Sequence, residues 1–221
     1  MASGTTAPEG LRHLAGYLSP AGQVALLGQI RSVMAAAPLF VPTMPRTGKP
    51  FSVRMTNCGS LGWVSDQARG YRYQAIHPDT GKPWPPMPQA LTDLWQAVAG
   101  YPLPPQACLV NHYTAGARMG SHRDEDEEDQ AAPVVSVSLG DAAVFHVGGL
   151  QRSDPKQRLL LRSGDVVVLG GAARMAFHGI DRLRPGTSTL LAEGGRLNLT
   201  LRRVTRVSLS PSFTGRGNVV R

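Results

Sequence analysis

Two histidines and an aspartate have the residue types and the spacing of a metal site. His122 and Asp124 stand two residues apart, so their side chains lie on one side of an extended segment. His178 comes from a later β-rich segment, AFHGI. Two imidazoles and one carboxylate leave three metal positions open, as in non-haem Fe(II) oxygenases. By itself the pattern is weak, because a lone histidine in a strand is more often a hydrogen-bonded core residue.

A second pattern lies near the C-terminus, where RLNLTLR, residues Arg196–Arg202, alternates polar and apolar residues. A strand period of two places both arginines and Asn198 on one face and the leucines on the other. On an edge strand that polar face would be solvated. Inside a barrel, the two arginines would be buried charges without partners unless a dicarboxylate lay between them. Asn111 and Tyr113 share a face in the same way and offer amide and phenol donors.

Hydrophobic patterning indicates the elements that must position these side chains. Ser19-Pro20 predicts a helix start, and Pro38 ends that helix. A second helix is predicted over Pro88–Ala99. The sequence between the helices is rich in Pro and Gly and has no helical period, so an irregular structure is expected there. After Tyr101 the chain consists of short β-rich runs separated by glycines and charged turns, a rhythm typical of a jelly roll or barrel.

Composition limits the class of protein and its partners. A chain of 221 residues suits one domain. The formal net charge is +8, despite the acidic run at residues 124–129, and only three of the 23 basic residues are lysines. Arginine suits phosphate and carboxylate, so polyanions are plausible partners.

Two cysteines offer no disulfide framework, and no apolar run reaches the roughly 18 residues of a membrane span. The N-terminus also lacks a basic segment followed by an apolar one. We therefore expect a cytoplasmic protein without a membrane partner.

These motifs together resemble the AlkB family of 2-oxoglutarate-dependent dealkylating dioxygenases, in its bacterial branch. The HxD…H set and the RxNxxxR strand occur in the family's order, and the likeness runs from near Leu14 to about Arg206. The segments that carry it are CLVNHYTAGARMGSHRDEDE, SVSLGDAAVFHVGG, RSGDVVVLGGAARMAFHGI, RLNLTLR, MTNCGSLGW and KPWPPMP.

The resemblance implies a mainly β (α+β) fold, a double-stranded β-helix or jelly roll with N-terminal helices. It implies a single dioxygenase domain over residues 1–206, with a nucleotide-recognition lid at about 40–88 and the jelly-roll core at 101–206. We expect residues 207–221, which match nothing in the family and are rich in Ser, Pro and Gly, to form a disordered tail.

The resemblance also assigns roles to individual residues. The implied Fe(II) ligands are His122, Asp124 and His178. The implied 2-oxoglutarate contacts are Asn111, Tyr113, Arg196, Asn198 and Arg202, the last also lying near the keto-acid end and Asp124 and so counted as catalytic. The implied substrate residues are Met55, Trp63, Tyr71, Tyr73, Asp126 and Arg152.

Among the substrate residues, Trp63 is expected to stack on an extruded base, with burial in the core as the alternative. Tyr71 and Tyr73 are expected to reach toward the nucleotide backbone. Asp126 would accept a hydrogen bond from an exocyclic base amine and favour cationic methylated bases. Arg152 would brace the base side, with an ordinary surface charge as the alternative. For Glu127, Glu128 and Asp129, a solvated loop is expected.

The implied reaction is oxidative demethylation of bases such as 1-methyladenine and 3-methylcytosine, with Fe(II), 2-oxoglutarate and O2. Hydroxylation of the N-methyl carbon releases formaldehyde, and 2-oxoglutarate becomes succinate and CO2. The expected partner is alkylated DNA, preferably single-stranded, with RNA as a further substrate, and the chain is expected to act as a monomer. Two alternatives stay open, because fold and iron site are shared across substrates. One is a dioxygenase acting mainly on RNA or a protein side chain, and the other is an inactive nucleic-acid-binding module.

Overall fold

The computed structural model describes residues 8–206, a mainly β chain with two α-helices. The expected disorder of residues 207–221 concerns a segment outside the described residues. No helix in the described part is long and apolar enough to cross a membrane.

Both predicted helices are confirmed. Helix α1 spans Pro20–Ala36, and the Ser19 hydroxyl accepts a hydrogen bond from the Gly22 amide, 3.1 Å away, which caps its first turn. Helix α2 spans Gln89–Val98 and buries its apolar stripe. Gly100 follows it with φ of 62°, the left-handed conformation that commonly terminates a helix.

The strands form two facing sheets and a separate hairpin. A six-stranded sheet has the order β1-β10-β7-β12-β5-β2, a four-stranded sheet has the order β6-β11-β8-β9, and β3 pairs with β4. The strands are β1 Leu11–Leu14, β2 Arg54–Gly59, β3 Gly62–Asp66, β4 Gly70–Gln74, β5 Ala107–Tyr113, β6 Met119–His122, β7 Val134–Gly140, β8 Ala142–Val147, β9 Gln157–Leu161, β10 Val166–Leu169, β11 His178–Arg184 and β12 Arg196–Arg202.

Two apolar clusters hold these layers together. In one, both helices pack on the outer face of the six-stranded sheet, against residues such as Leu197 and Leu199. In the other, residues of the two sheets meet, such as Leu109 on β5 and Phe145 on β8. Because successive side chains of a strand point to opposite faces, the leucines of β12 face the helices and its polar residues face the second sheet. The expected jelly roll is confirmed.

The interpretation of residues 39–88 as irregular was wrong. Strand β2 forms an edge of the six-stranded sheet beside β5, and β3 and β4 form the hairpin. Strand β2 is buried on both faces, so it lacks the polar and apolar alternation of a half-exposed strand. Its buried polar residues are satisfied, since Thr56 donates to the Ala37 carbonyl and the Asn57 amide pairs with the backbone of Trp63.

Candidate functional site

The structure brings His122, Asp124 and His178 together at one end of the four-stranded sheet. His122 ends β6 and His178 begins β11, and the two are directly paired across the strands. One Asp124 carboxylate oxygen lies 3.9 Å from His122 Nε2, and the other lies 3.8 Å from His178 Nε2. Two ligands at about 2.1 Å from one ion can be separated by up to about twice that length. Asp124 is therefore close enough to each histidine to share a metal ion with it, and the donor atoms of all three residues lie within 4.8 Å of one another.

Neighbouring backbone carbonyls fix the orientation of both imidazoles. His122 Nδ1 donates to the Gly120 carbonyl and His178 Nδ1 donates to the Ala176 carbonyl, both at 2.9 Å. Each ring therefore presents Nε2, the nitrogen that faces Asp124, as the lone-pair donor. This is the outer-sphere arrangement of metal-binding histidines.

The protonation states also suit a cation. Burial lowers the pKa of His178 to about 4, so the ring is neutral near pH 7. Burial alone would raise the pKa of Asp124, but the positive charge of the adjacent Arg202 guanidinium holds it below its ordinary value. A neutral imidazole beside an ionised carboxylate is the state in which these groups bind metal.

Arg196 is the second unusual feature, because it is only 1% exposed and most of its donors are unused. Its Nη2 donates to the Ser138 hydroxyl at 2.9 Å, and its guanidinium lies 5.4 Å from the Tyr113 ring centre. Nε and Nη1 are buried and have no hydrogen-bond partner within residues 8–206. A buried guanidinium with two free donors fits a carboxylate ligand, so these residues suit 2-oxoglutarate.

The other residues expected to contact 2-oxoglutarate line the same cavity. Asn198 donates to the Ser136 hydroxyl and the Val137 carbonyl, while Thr200 donates to Asn198 Oδ1. These bonds fix the Asn198 amide. Asn111 is buried, and its Oδ1 has no partner in the described part of the chain. Asn111 and Tyr113 share the cavity face, as their spacing predicts.

A buried ionic network supports the candidate metal ligands from behind. Arg202 Nη2 lies 2.8 Å from Asp124, and its Nε lies 3.2 Å from Glu127. Arg174 pairs with Glu127 at 2.9 Å and donates to the backbone carbonyls of Asp124 and Ala132. Two guanidiniums thus hold the segment that carries Asp124. Sequence reasoning missed Arg174, although one arginine in the small-residue run GGAARMA is a signal for a buried partner.

The solvated-loop interpretation of the acidic run was wrong for two of its residues. Glu127 is 4% exposed and bridges two arginines. Asp129 is 3% exposed and accepts a hydrogen bond from the Tyr101 hydroxyl at 2.8 Å. Glu128 is exposed, as expected. Burial is tolerated because each carboxylate has a donor from a distant part of the chain.

The candidate ligands and Arg196 line a single cavity of about 490 Å³. Four of the six predicted substrate residues line this cavity as expected: Met55, Trp63, Tyr71 and Arg152. Trp63 is half-buried at the margin of the inter-sheet core and stacks on Tyr71, with ring centres 5.5 Å apart. Arg152 lies over the Phe177 ring and donates to the Ser121 carbonyl.

Asp126 and Tyr73 are more constrained than expected. Asp126 lines the cavity, but its Oδ2 accepts a hydrogen bond from Trp63 Nε1 at 2.8 Å, leaving Oδ1 for another donor. Tyr73 does not extend toward the surface as Tyr71 does. Its hydroxyl donates to Glu127, so the prediction that it reaches the nucleotide backbone was wrong. A buried carboxylate draws the phenol inward because it needs donors.

Comparisons with known proteins agree with this geometry. The family model for the 2OG-Fe(II) oxygenase superfamily matches residues 10–202. An "Alpha-ketoglutarate-dependent dioxygenase AlkB homolog" of Caulobacter vibrioides is 55% identical, over 85% of this chain and 84% of the relative. A "DNA N(6)-methyladenine demethylase ALKBH1C" of Arabidopsis thaliana is 31% identical, over 91% of this chain and 50% of the plant protein. The solved structure of OsALKBH1 superposes with a TM-score of 0.73 at 31% identity, covering 90% of this chain and all of that one.

Proposed function

Because this chain belongs to the AlkB family of the 2OG-Fe(II) oxygenase superfamily, we propose that it repairs N-methylated bases such as 1-methyladenine and 3-methylcytosine. It is an Fe(II)- and 2-oxoglutarate-dependent dioxygenase that oxidatively dealkylates nucleic acid bases. We propose single-stranded DNA as its preferred substrate and RNA as a further one, with the chain acting as a monomer.

One observation carries this proposal: three residues that could bind a metal ion, and a buried arginine with two unused donors, line the same cavity. Iron held by His122, Asp124 and His178 would leave positions for 2-oxoglutarate and O2. Arg196 would bind the distal carboxylate of 2-oxoglutarate, and Asn198, Asn111 and Tyr113 would complete its contacts. When bound, these groups supply the oxidising chemistry, while the protein supplies orientation and shielding from water.

The mouth of the cavity offers what an extruded base needs. The Trp63 and Tyr71 rings present a flat π surface that would replace the stacking lost on extrusion. Trp63 Nε1 holds the Asp126 carboxylate at that surface, leaving Oδ1 to accept a hydrogen bond from an exocyclic base amine. The negative charge would favour cationic 1-methyladenine and 3-methylcytosine over their neutral parents.

The test is turnover by the intact chain. The protein is incubated with Fe(II), 2-oxoglutarate, O2 and an oligonucleotide containing 3-methylcytosine, and formaldehyde and restored cytosine are measured. We expect both products in equal amounts. Parallel reactions with a duplex and with RNA of the same sequence rank the substrates. Succinate formation without base repair on any of these would redirect the proposal to another substrate, such as a protein side chain. Tight oligonucleotide binding without succinate formation would favour an inactive binding module.

A further inference from the structure

The outer face of the four-stranded sheet carries a concentration of positive charge outside the cavity. Strand register defines this face, because directly paired residues point to the same side. Arg158 on β9 pairs with His146 on β8, while Arg182 and Arg184 on β11 pair with Val144 and Ala142 of β8. The side chains of all three arginines therefore project from the face that is opposite Phe145 and the inter-sheet core.

We define the basic face by five residues: Lys156, Arg158, Arg162, Arg182 and Arg184. All four of its arginines are exposed, and Arg158 has a 64% exposed side chain. Arg182 and Arg184 have no ion pair within residues 8–206. Exposed cations without partners are available to an external anion.

Little negative charge opposes the basic face. From residue 150 to 184 the chain has three acidic residues, Asp154, Asp165 and Asp181, and no glutamate. Asp165 is buried and pairs with His13. Asp154 is bonded to the Gln151 amide within its own loop. Asp181 is already paired with both Arg158 and His146, at 2.9 and 2.7 Å. The unbalanced charge is therefore that of Arg162, Arg182, Arg184 and Lys156.

A residue that lines the cavity lies just before the basic face in the chain. Arg152 lines the cavity and lies in the connection between β8 and β9, four residues before Lys156. Strand β9 begins one residue after Lys156 and contains Arg158. With strands about 4.8 Å apart and about 3.4 Å per residue, the arginines cover roughly 10 by 14 Å. Such an area matches the backbone of a few nucleotides, since each DNA strand carries one charge per about 3.4 Å of helix axis.

We propose that the basic face binds the phosphate backbone of the nucleic acid beyond the nucleotide held in the cavity. Contacts to phosphate carry no sequence information, so the face would add affinity for long substrates without base preference. This inference rests on the proposed function, because it needs a polynucleotide whose damaged base enters the cavity.

The test compares two double variants with equal loss of charge. Arg182→Gln with Arg184→Gln removes two cations from the basic face. Arg31→Gln with Arg54→Gln is the matched control, since Arg31 is exposed on α1 and Arg54 pairs with His112 on the helix side of the other sheet. None of the four residues lines the main cavity. Thermal denaturation checks that all proteins are equally folded.

Binding is measured by fluorescence anisotropy with a methylated single strand of about 20 nucleotides over a range of salt. Two lost phosphate contacts should reduce the salt slope by about 1.4 for a single strand, or about 1.8 for a duplex. The affinity ratio between wild type and the basic-face variant should therefore shrink about seven- to twelvefold as salt rises from about 0.05 to 0.2 M. The control variant should keep the wild-type slope.

Turnover of a methylated trinucleotide separates this proposal from the proposed function. The basic-face variant should process the trinucleotide at the wild-type rate, because that substrate is too short to reach the face. An unchanged salt slope on the long strand, or equal slope losses in both variants, would overturn the basic face alone. A wild-type protein that repairs neither oligonucleotide would overturn the proposed function.

Discussion

Glu127→Gln should destabilise the protein strongly, although the residue lies in a run of six acidic side chains. Glu127 is 4% exposed and pairs with Arg174 at 2.9 Å and with Arg202 at 3.2 Å. The substitution keeps the shape but leaves Arg174 without a carboxylate partner and Arg202 with Asp124 alone. Removing one partner of a buried ion pair costs about 3–5 kcal/mol. For a chain of this size that corresponds to a fall in Tm of about 6–20 °C.

The assay is thermal denaturation of the metal-free protein, with Glu128→Gln as the matched control. Glu128 is exposed, so its substitution should change the free energy of unfolding by less than about 0.5 kcal/mol. Tyr73→Phe removes only the hydroxyl donor to the Glu127 carboxylate and should cost about 1.5–3 kcal/mol, the range for a hydrogen bond to a charged group. If Glu127→Gln were as mild as Glu128→Gln, the acidic run would be a solvated loop and the buried network would be refuted.

Three other predictions concern the cavity. Alanine in place of His122, Asp124 or His178 should abolish formaldehyde release and weaken iron binding, and full activity in any one variant would remove that residue from the ligand set. Arg196→Ala should raise the 2-oxoglutarate concentration needed for half-maximal rate and leave that for DNA nearly unchanged; an unchanged 2-oxoglutarate requirement would place its carboxylate elsewhere. Asp126→Asn should reduce turnover of cationic 1-methyladenine about ten- to a hundredfold and of neutral 1-methylguanine less, and equal losses would exclude charge selection.

The fold was predictable where one side chain pattern matched one environment. Strand β12 alternates because one face meets apolar helices and the other lines a polar cavity, so RLNLTLR gave both its structure and its orientation. The start of helix α1 was predictable because Ser19 caps the helix and Pro20 favours its first turn. Strand β2 did not follow such a rule, because both of its faces are buried and its polar side chains bond to the backbone of Ala37 and of Trp63 on β3. A strand that is buried on both faces has no alternation of polar and apolar residues by which it could be predicted.

The candidate site divides in the same way. Residues facing the cavity were found because their types are chemically unusual for a sheet interior, as with Arg196 and Asn198. The sequence interpretation missed Arg174 and assigned Glu127 and Asp129 to solvent, although Glu127 and Arg174 belong to the network behind the cavity residues. Glu127 meets Arg174 47 positions later in the chain, and Asp129 meets Tyr101 28 positions earlier. A local window of the sequence contains only one half of each pair, so the charge looks solvated.

The buried network also connects the hairpin to the candidate metal ligands. The Tyr73 hydroxyl on β4 donates to Glu127, Glu127 pairs with Arg202, and Arg202 pairs with Asp124. The hairpin's other contact to the same segment is the bond from Trp63 to Asp126. A base stacked on Trp63 would therefore contact the β3–β4 hairpin, which donates two hydrogen bonds to the segment carrying Asp124. The Arg202 guanidinium forms ion pairs with both Glu127 and Asp124, so this buried network links the position of the hairpin to the position of the candidate ligand Asp124.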